Sequence, residues 1–246
     1  MPLHPVLTGR LALLDRLDSH PYARLTVGGD DVHGYEHGDA LVWTAHGPWG
    51  PVAASLGDPD AALEVLGQLA DSGTLADTRW LHLPRVPAET AARRLPVVIQ
   101  DDWDFLWTTT APEPVLPGEA AVRVLGPEEY PAVDAVLDEA LPHSTSRPSD
   151  PRIRHWYGIS EGDRLVAVAG DRSAHDIGFL AGIGVAADRQ GRGYGAALTA
   201  AVTRLLLAEY GVCSLGVMAD NTGAIRLYQR LGYTNAIART SVRLTD

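Results

Sequence analysis

Arg189-Gln190-Gly191-Arg192-Gly193-Tyr194-Gly195-Ala196 is a glycine-rich segment whose surroundings predict the architecture of this chain of 246 residues. The apolar run at residues 177–185 precedes it, and an apolar run of helical period at 198–207 follows it. This order predicts a strand, a tight turn and a helix. The first turn of a helix has N–H groups without partners, and the helix dipole adds positive potential there. Because glycines let a ligand approach the backbone closely, we expect the turn to bind a pyrophosphate.

Two common classes of nucleotide-binding loop are excluded by the residues around this turn. A P-loop requires a lysine after its last glycine, whereas all 20 basic residues of this chain are arginine. A dinucleotide-binding loop has the spacing G-x-G-x-x-G and an acidic residue about 20 positions later. Here the spacing is Q-x-x-G-x-G, and the residue at the corresponding distance from Gly191 is Gly211.

The spacing that starts at Gln190 resembles the Q/R-x-x-G-x-G/A signature of the GNAT superfamily of acyl-CoA-dependent N-acyltransferases. Further along the chain, residues 220–233 resemble the family pattern N-x-x-A-x-x-L-Y-x-x-x-G-F/Y. The matching positions are Asn221, Ala224, Leu227, Tyr228 and Gly232. A predicted helix ending at Gly211 and a predicted strand at 212–218 lie between the two motifs. The resemblance covers about residues 122–244 and implies a GNAT fold, an α/β domain with a mixed sheet.

In this family the glycine-rich loop binds the pyrophosphate of coenzyme A, and the pantetheine arm lies along the preceding strand like an added strand. The resemblance therefore implies acetyl-CoA as the co-substrate, without a metal. The residues that it assigns to cofactor binding are Ile183, Gly184 and Val185 in the strand, Gln190, Gly191, Arg192, Gly193, Tyr194, Gly195 and Ala196 in the loop, and Asn221 beyond them.

Transfer of an acyl group from a thioester to an amine needs a neutral amine and an acid for the leaving thiolate. An alkylamine with a pKa near ~10.4 is about one part in ~10³ neutral at pH 7, so a base is useful. The resemblance implies that Tyr228 is the general acid; the alternative is a helix residue that packs on the sheet. Many relatives carry a glutamate base on the strand before the loop, but residues 177–185 contain none. The remaining polar candidates are interpreted as surface residues: His143, His155, His175 and Asp176.

The N-terminal half contains predicted elements in the order of the C-terminal half. They are strands at 40–44 and 51–56 around a turn at 47–50, a helix at 58–69, a strand at 80–83, a helix at 87–95 and a strand at 103–108. No glycine-rich loop lies between Leu56 and Asp58, so no second coenzyme A is expected there. This half resembles the degenerate half of glycine N-acyltransferase-like proteins. The predicted division is a degenerate domain at 1–110, a proline-rich linker at 111–118 and the GNAT domain at 119–246.

Composition limits the partners that we expect. The net charge is −11, and residues 1–117 contribute −9 of it, from 7 arginines against 16 acids. Such acidity opposes nucleic-acid binding and suits an amine substrate. The N-terminus lacks a basic start followed by an apolar core, so we expect a cytoplasmic protein without a membrane partner. Cys213, the single cysteine, is predicted to be buried in a strand.

The segment His33-Gly34-Tyr35-Glu36-His37 matches the zinc-peptidase pattern H-x-x-E-H, which requires both histidines on one helical face. Glycines before, within and after it predict a loop and oppose a zinc site.

These inferences predict an N-acetyltransferase that moves an acetyl group from acetyl-CoA to a primary amine of a small molecule. Two alternatives stay open: a non-catalytic acyl-CoA-binding regulatory module, and a protein or peptide N-acetyltransferase. No motif specifies the acceptor, the acyl chain length or the oligomeric state.

Overall fold

A computed structural model of the chain describes residues 3–47, 50–78 and 80–245. The helices and strands alternate along these ranges, and the chain divides into two units. The first unit contains residues up to Phe105, Val217–Asn221 and the segment from Ala236 onward, and the second contains Leu106–Gly216 and Thr222–Asn235.

The first ten elements are β1 (Leu7–Thr8), α1 (Arg10–Arg16), α2 (Pro21–Thr26), β2 (Gly28–His37), β3 (Ala40–Gly47), β4 (Gly50–Leu56), α3 (Pro59–Asp71), β5 (Trp80–Pro84), α4 (Ala88–Ala92) and β6 (Val97–Thr108). The others are β7 (Arg123–Leu125), α5 (Tyr130–Ala140), β8 (His155–Glu161), β9 (Arg164–Asp171), β10 (Gly178–Val185), α6 (Tyr194–Tyr210), β11 (Cys213–Met218), α7 (Thr222–Arg230) and β12 (Asn235–Leu244). Short 3₁₀ turns occupy Glu119–Ala121, Pro127–Glu129 and Ala187–Arg189.

In the first unit the strands follow the order β1-β2-β3-β4-β5-β12-β6. The predicted hairpin is confirmed, because β3 and β4 pair antiparallel, while β4 and β5 pair parallel. Pro48 and Trp49 of the predicted turn lie outside the described residues. Helix α3 covers the sheet with buried leucines, Leu63, Leu66 and Leu69.

The N-terminus of helix α3 is capped by a side chain. Asp58 is its N-cap, and one carboxylate oxygen accepts a hydrogen bond of 2.8 Å from the N–H of Ala61. Pro59 follows at the first helical position and has no N–H to offer. One of the free donors of this helix end is therefore already in use.

Strand β12 departs from the sequence-based division. The predicted GNAT domain at 119–246 includes residues 234–244, but β12 pairs antiparallel with β5, from Arg239 opposite Pro84 to Arg243 opposite Trp80. Val242 of β12 is fully buried against the core that α3 covers. The units are therefore not contiguous in sequence. Burial of its side chains determines where a strand pairs, even when its partner is far away in the sequence.

Three further elements of the first unit differ from expectation. Helices α1 and α2 were not predicted, because each is only about two turns long. Strand β2 includes the H-x-x-E-H segment, so the predicted loop at His33–His37 is wrong. Pairing with β1 and β3 on both sides explains the strand despite its glycines.

In the second unit the strands follow the order β11-β10-β9-β8-β7. Helix α5 packs on this sheet through Val133, Val136 and Leu137, against Trp156 and Val168. Helix α6 begins after Gly193 and ends at Gly211, whose φ of 71° confirms the predicted C-terminal cap. No helix in the described ranges is long and apolar enough to cross a lipid bilayer.

Candidate functional site

The turn between β10 and α6 has the backbone that an anion-binding loop requires. Gly191 and Gly193 have φ values of 76° and 87°, in the left-handed region that favours glycine. A Cβ atom added to either residue would meet no other atom within 4 Å, so the space above the turn is open. Gly195 lies closer to the sheet, because an added Cβ would be 3.4 Å from Val185 Cγ2.

The N–H groups of this turn point to no protein acceptor. The first bond of α6 runs from the N–H of Ala197 to the carbonyl of Gly193, at 2.9 Å. Within the described residues, no hydrogen bond is donated by the N–H groups of residues 191–196. Free N–H groups at the positive end of a helix form a site for phosphate oxygens, so the predicted loop residues fit a pyrophosphate.

Strand β10 separates from β11 beside this loop. Their parallel pairing joins Gly178–Leu180 to Cys213–Leu215, and the described pairs end there. On the other side, the register between β9 and β10 shifts between Ala181 and Gly184. Gly182 forms this bulge with φ 59°, and a Cβ there would lie 2.9 Å from Trp156 Cη2. The residues predicted to hold the pantetheine arm, 183–185, therefore lie on strand edge that is not paired with β11.

Glu161, at the end of β8, braces the loop. Its carboxylate accepts a hydrogen bond from the Tyr194 hydroxyl at the first position of α6. The other carboxylate oxygen accepts one of 2.7 Å from Arg189 Nε. The hydrogen bonds from Tyr194 and Arg189 hold the pKa of Glu161 below its usual value. The hydrogen bond between Tyr194 and Glu161 also raises the pKa of Tyr194. Glu161 therefore stays ionised and Tyr194 stays protonated at neutral pH.

Further ion pairs continue this brace. Asp188 accepts hydrogen bonds from Arg164 at 2.8 and 3.0 Å and from Arg189 at 2.6 Å. Glu139 of α5 accepts one of 2.8 Å from the N–H of Ala187. Sequence reasoning missed Glu139, Glu161 and Arg164, because no local pattern connects these residues to the loop.

The two arginines of the loop have different roles in this arrangement. Arg189 is neutralised by Glu161 and Asp188. Arg192 is exposed and makes no ion pair with any described residue. Gln190 connects the loop to β10, because its side-chain amide donates to the carbonyl of Val185 at 3.3 Å. Arg192 is thus the loop arginine whose positive charge is available to a bound phosphate.

Tyr228 lies on α7, and its side chain is buried, with 7% of its surface exposed. Burial raises the pKa of its hydroxyl to about 12, so the phenol is protonated at neutral pH. Its ring meets that of Tyr233 edge-on, with 6.1 Å between the centroids. The preceding residue, Leu227, would lie 3.8 Å from a Cβ on Gly195, so α7 packs beside the first turn of α6.

The other candidate groups differ in their exposure to solvent. Cys213 is fully buried, as predicted, and burial raises its pKa to about 12, which leaves an unreactive thiol. The four polar residues interpreted as surface residues, His143, His155, His175 and Asp176, are all exposed. Asn221 directly precedes α7, is exposed, and belongs to the first unit, where its N–H donates to the carbonyl of Met218 at 3.0 Å. No described group of three or more metal-ligating side chains could hold a metal ion.

The second unit corresponds to a known family. Residues 121–233 match the model of the acetyltransferase (GNAT) family, so the domain that holds the loop, β10 and Tyr228 belongs to the GNAT superfamily. The predicted fold class, an α/β fold with a mixed sheet and a GNAT domain in the C-terminal half, is confirmed. Acyl transfer is the chemistry of this family, which generally uses acetyl-CoA.

Solved structures show the same fold at low sequence identity. A GNAT-family protein from Novosphingobium aromaticivorans DSM 12444 is 21% identical with a TM-score of 0.56, and the match covers 99% of this chain and 100% of that chain. A GNAT-family acetyltransferase from Colwellia psychrerythraea is 10% identical with a TM-score of 0.54 and the same coverage. A search of curated proteins found no match for this chain.

Proposed function

We propose that this protein is an N-acetyltransferase that transfers the acetyl group of acetyl-CoA to a primary amine of a small molecule. The observation that carries the proposal is the row of N–H groups at residues 191–196, which have no acceptor in the part of the chain that the structure describes and lie at the start of α6. The open strand edge at 183–185 supports it, since an extended pantetheine arm can bond there. The net charge of −11 supports an amine as the acceptor.

In the proposed reaction the neutral amine attacks the thioester carbonyl, so that a C–N bond forms and the C–S bond breaks. The leaving sulfur takes a proton from the Tyr228 hydroxyl, and the amine nitrogen loses its extra proton to solvent. A phenol with a pKa of about 12 is a weaker acid than a thiol, whose pKa is near ~8.5. Tyr228 therefore acts while charge develops on sulfur, and solvent then reprotonates it. The proposal includes a cytoplasmic location, with neither nucleic acid nor a membrane as a partner.

Two measurements test this function. Calorimetry with acetyl-CoA shows whether the donor binds, and absence of binding would refute the proposal. Release of free thiol across a panel of amines then shows turnover. Binding without thiol release on any amine would favour a regulatory acyl-CoA-binding module. A mass increase on a peptide library, with no turnover of small amines, would favour a peptide N-acetyltransferase.

We expect Arg192→Met to weaken acetyl-CoA binding by about tenfold, because a charge-assisted bond to phosphate is lost. The dependence of affinity on ionic strength should also become shallower. Arg230→Met is the matched control, since Arg230 is an exposed arginine at the end of α7, outside the residues assigned to cofactor binding. It should keep the salt dependence of the wild type. Calorimetry at several salt concentrations checks both variants, and equal slopes for wild type and Arg192→Met would contradict the assignment.

A further inference from the structure

Arg239 of β12 is buried in the core of the first unit, with 1% of its surface exposed. Its Nη2 donates a hydrogen bond of 2.8 Å to the carbonyl of His82. Its guanidinium carbon lies 4.2 Å from the centroid of the Tyr22 ring. The Tyr22 ring is in turn packed among the rings of Trp43, Trp103 and Phe105. The guanidinium is thus stacked on one ring of an aromatic cluster and is out of contact with water.

The positive charge of Arg239 has no counter-charge among the described residues. No described carboxylate forms an ion pair with it, whereas Arg172, which is also deeply buried, pairs with Asp150 at 2.6 Å. An arginine cannot lose its proton in a protein, so burial leaves a full charge to be compensated. The free energy needed to desolvate a buried cation is larger than the stabilisation that a cation–π contact provides.

The neighbouring titratable groups do not supply the missing charge. Burial raises the pKa of Tyr22, and although Arg239 opposes this shift, the phenol stays protonated. Burial, and then the charge of Arg239, lower the pKa of His20. The same two causes lower that of His82 to about 3, so both rings are neutral at neutral pH. The surroundings of Arg239 therefore hold a net positive charge.

Two buried hydrogen-bond donors in this cluster are unused. The Tyr22 hydroxyl oxygen lies beside the Arg239 guanidinium, but the Tyr22 O–H and Arg239 Nε–H are both shielded from solvent and donate no hydrogen bond to a described residue. Both are donors, and the cation beside them lacks a negative charge. A single small anion would accept both hydrogen bonds and neutralise the guanidinium. We propose that Arg239 and Tyr22 form a binding site for a halide-sized monovalent anion, with chloride as the ligand, inside the first unit.

Crystals of the full chain grown in bromide test the site directly. An anomalous peak within hydrogen-bond distance of Arg239 Nε is the expected result, and its absence would overturn the proposal. The thermal midpoint gives a solution readout, with gluconate replacing chloride at constant ionic strength. We expect the wild-type midpoint to rise by roughly 4 °C from about 10 to about 300 mM chloride, by mass action on the folded state.

Variants separate this site from general salt effects. Tyr22→Phe keeps the ring beneath the guanidinium and removes one donor, so the rise with chloride should shrink. Arg239→Met removes the site and should abolish the rise. Arg243→Met removes a partly exposed arginine from the same strand and should keep the wild-type response. An equal rise in the Tyr22→Phe variant and the wild type would refute the site even if Arg239→Met failed to fold.

Discussion

We expect Tyr228→Phe to lower kcat for acetyl transfer by about 10²-fold, while the Kd for acetyl-CoA stays within about twofold of the wild type. General acids contribute on the order of 10²–10⁴ to a rate, and this variant removes the proposed proton donor to the leaving sulfur. The ring and its packing are unchanged, so donor binding is preserved. Steady-state kinetics with the best amine of the panel, together with calorimetry, gives both quantities.

Tyr233→Phe is the matched control for Tyr228→Phe. Both tyrosines are buried and their rings are in contact, but the Tyr233 hydroxyl is engaged with Thr203 Oγ1 at 2.7 Å and Cys213 Sγ at 3.2 Å. Its loss should lower the free energy of unfolding by about 1 kcal/mol and leave the chemical rate unchanged. If Tyr228→Phe kept the wild-type rate, or if both variants lost rate equally, Tyr228 would not be the general acid.

Gly193→Ala should weaken acetyl-CoA binding by at least about tenfold. At φ 87° an alanine meets a backbone penalty of about 1–2 kcal/mol, which the turn relieves by shifting. The shift misaligns the N–H groups that start α6, and each bond to a charged phosphate is worth roughly 1.5–3 kcal/mol. Calorimetry with acetyl-CoA measures the loss of affinity, and thermal unfolding measures the loss of stability.

Gly211→Ala imposes the same backbone penalty at the other end of the same helix. Gly211 has φ 71°, and an added Cβ there would also meet nothing within 4 Å. This variant should lose comparable stability and keep its affinity for acetyl-CoA. Equal affinities for the two variants would show that the turn at Gly193 does not bind the donor.

The parts of the site that could be predicted from sequence are those with local causes. The turn, α6 and its C-terminal cap depend on glycines and on periodic leucines within a few residues of each other. The brace around the loop depends on contacts across longer separations: Arg164 is 24 residues from Asp188, Glu161 is 33 from Tyr194, and Glu139 is 48 from Ala187. No periodic pattern encodes such pairs, so only the folded structure shows them.

The same limit applies to the first unit. The pairing of β12 with β5 brings Ser241 to His82, at a separation of 159 residues, and with it the buried Arg239. An arginine within a predicted strand is expected at the surface when it is considered alone. The ring on which it stacks and the rings packed around that one come from α2, β3 and β6, and their convergence is a property of the tertiary fold.

At the N-terminus of α3, the Asp58 carboxylate competes permanently with any external phosphate for the helix N–H groups. The Asp58 carboxylate is joined to the helix that it caps, so its effective concentration at the Ala61 N–H is in the millimolar range or above. A free phosphate ester at micromolar concentration would be outcompeted there, and Pro59 offers it no second donor. In the second unit, Gly191 and Gly193 contribute no side chain that could compete in this way. The start of α3 is therefore closed to a phosphate by its own carboxylate, whereas the turn before α6 carries no such group.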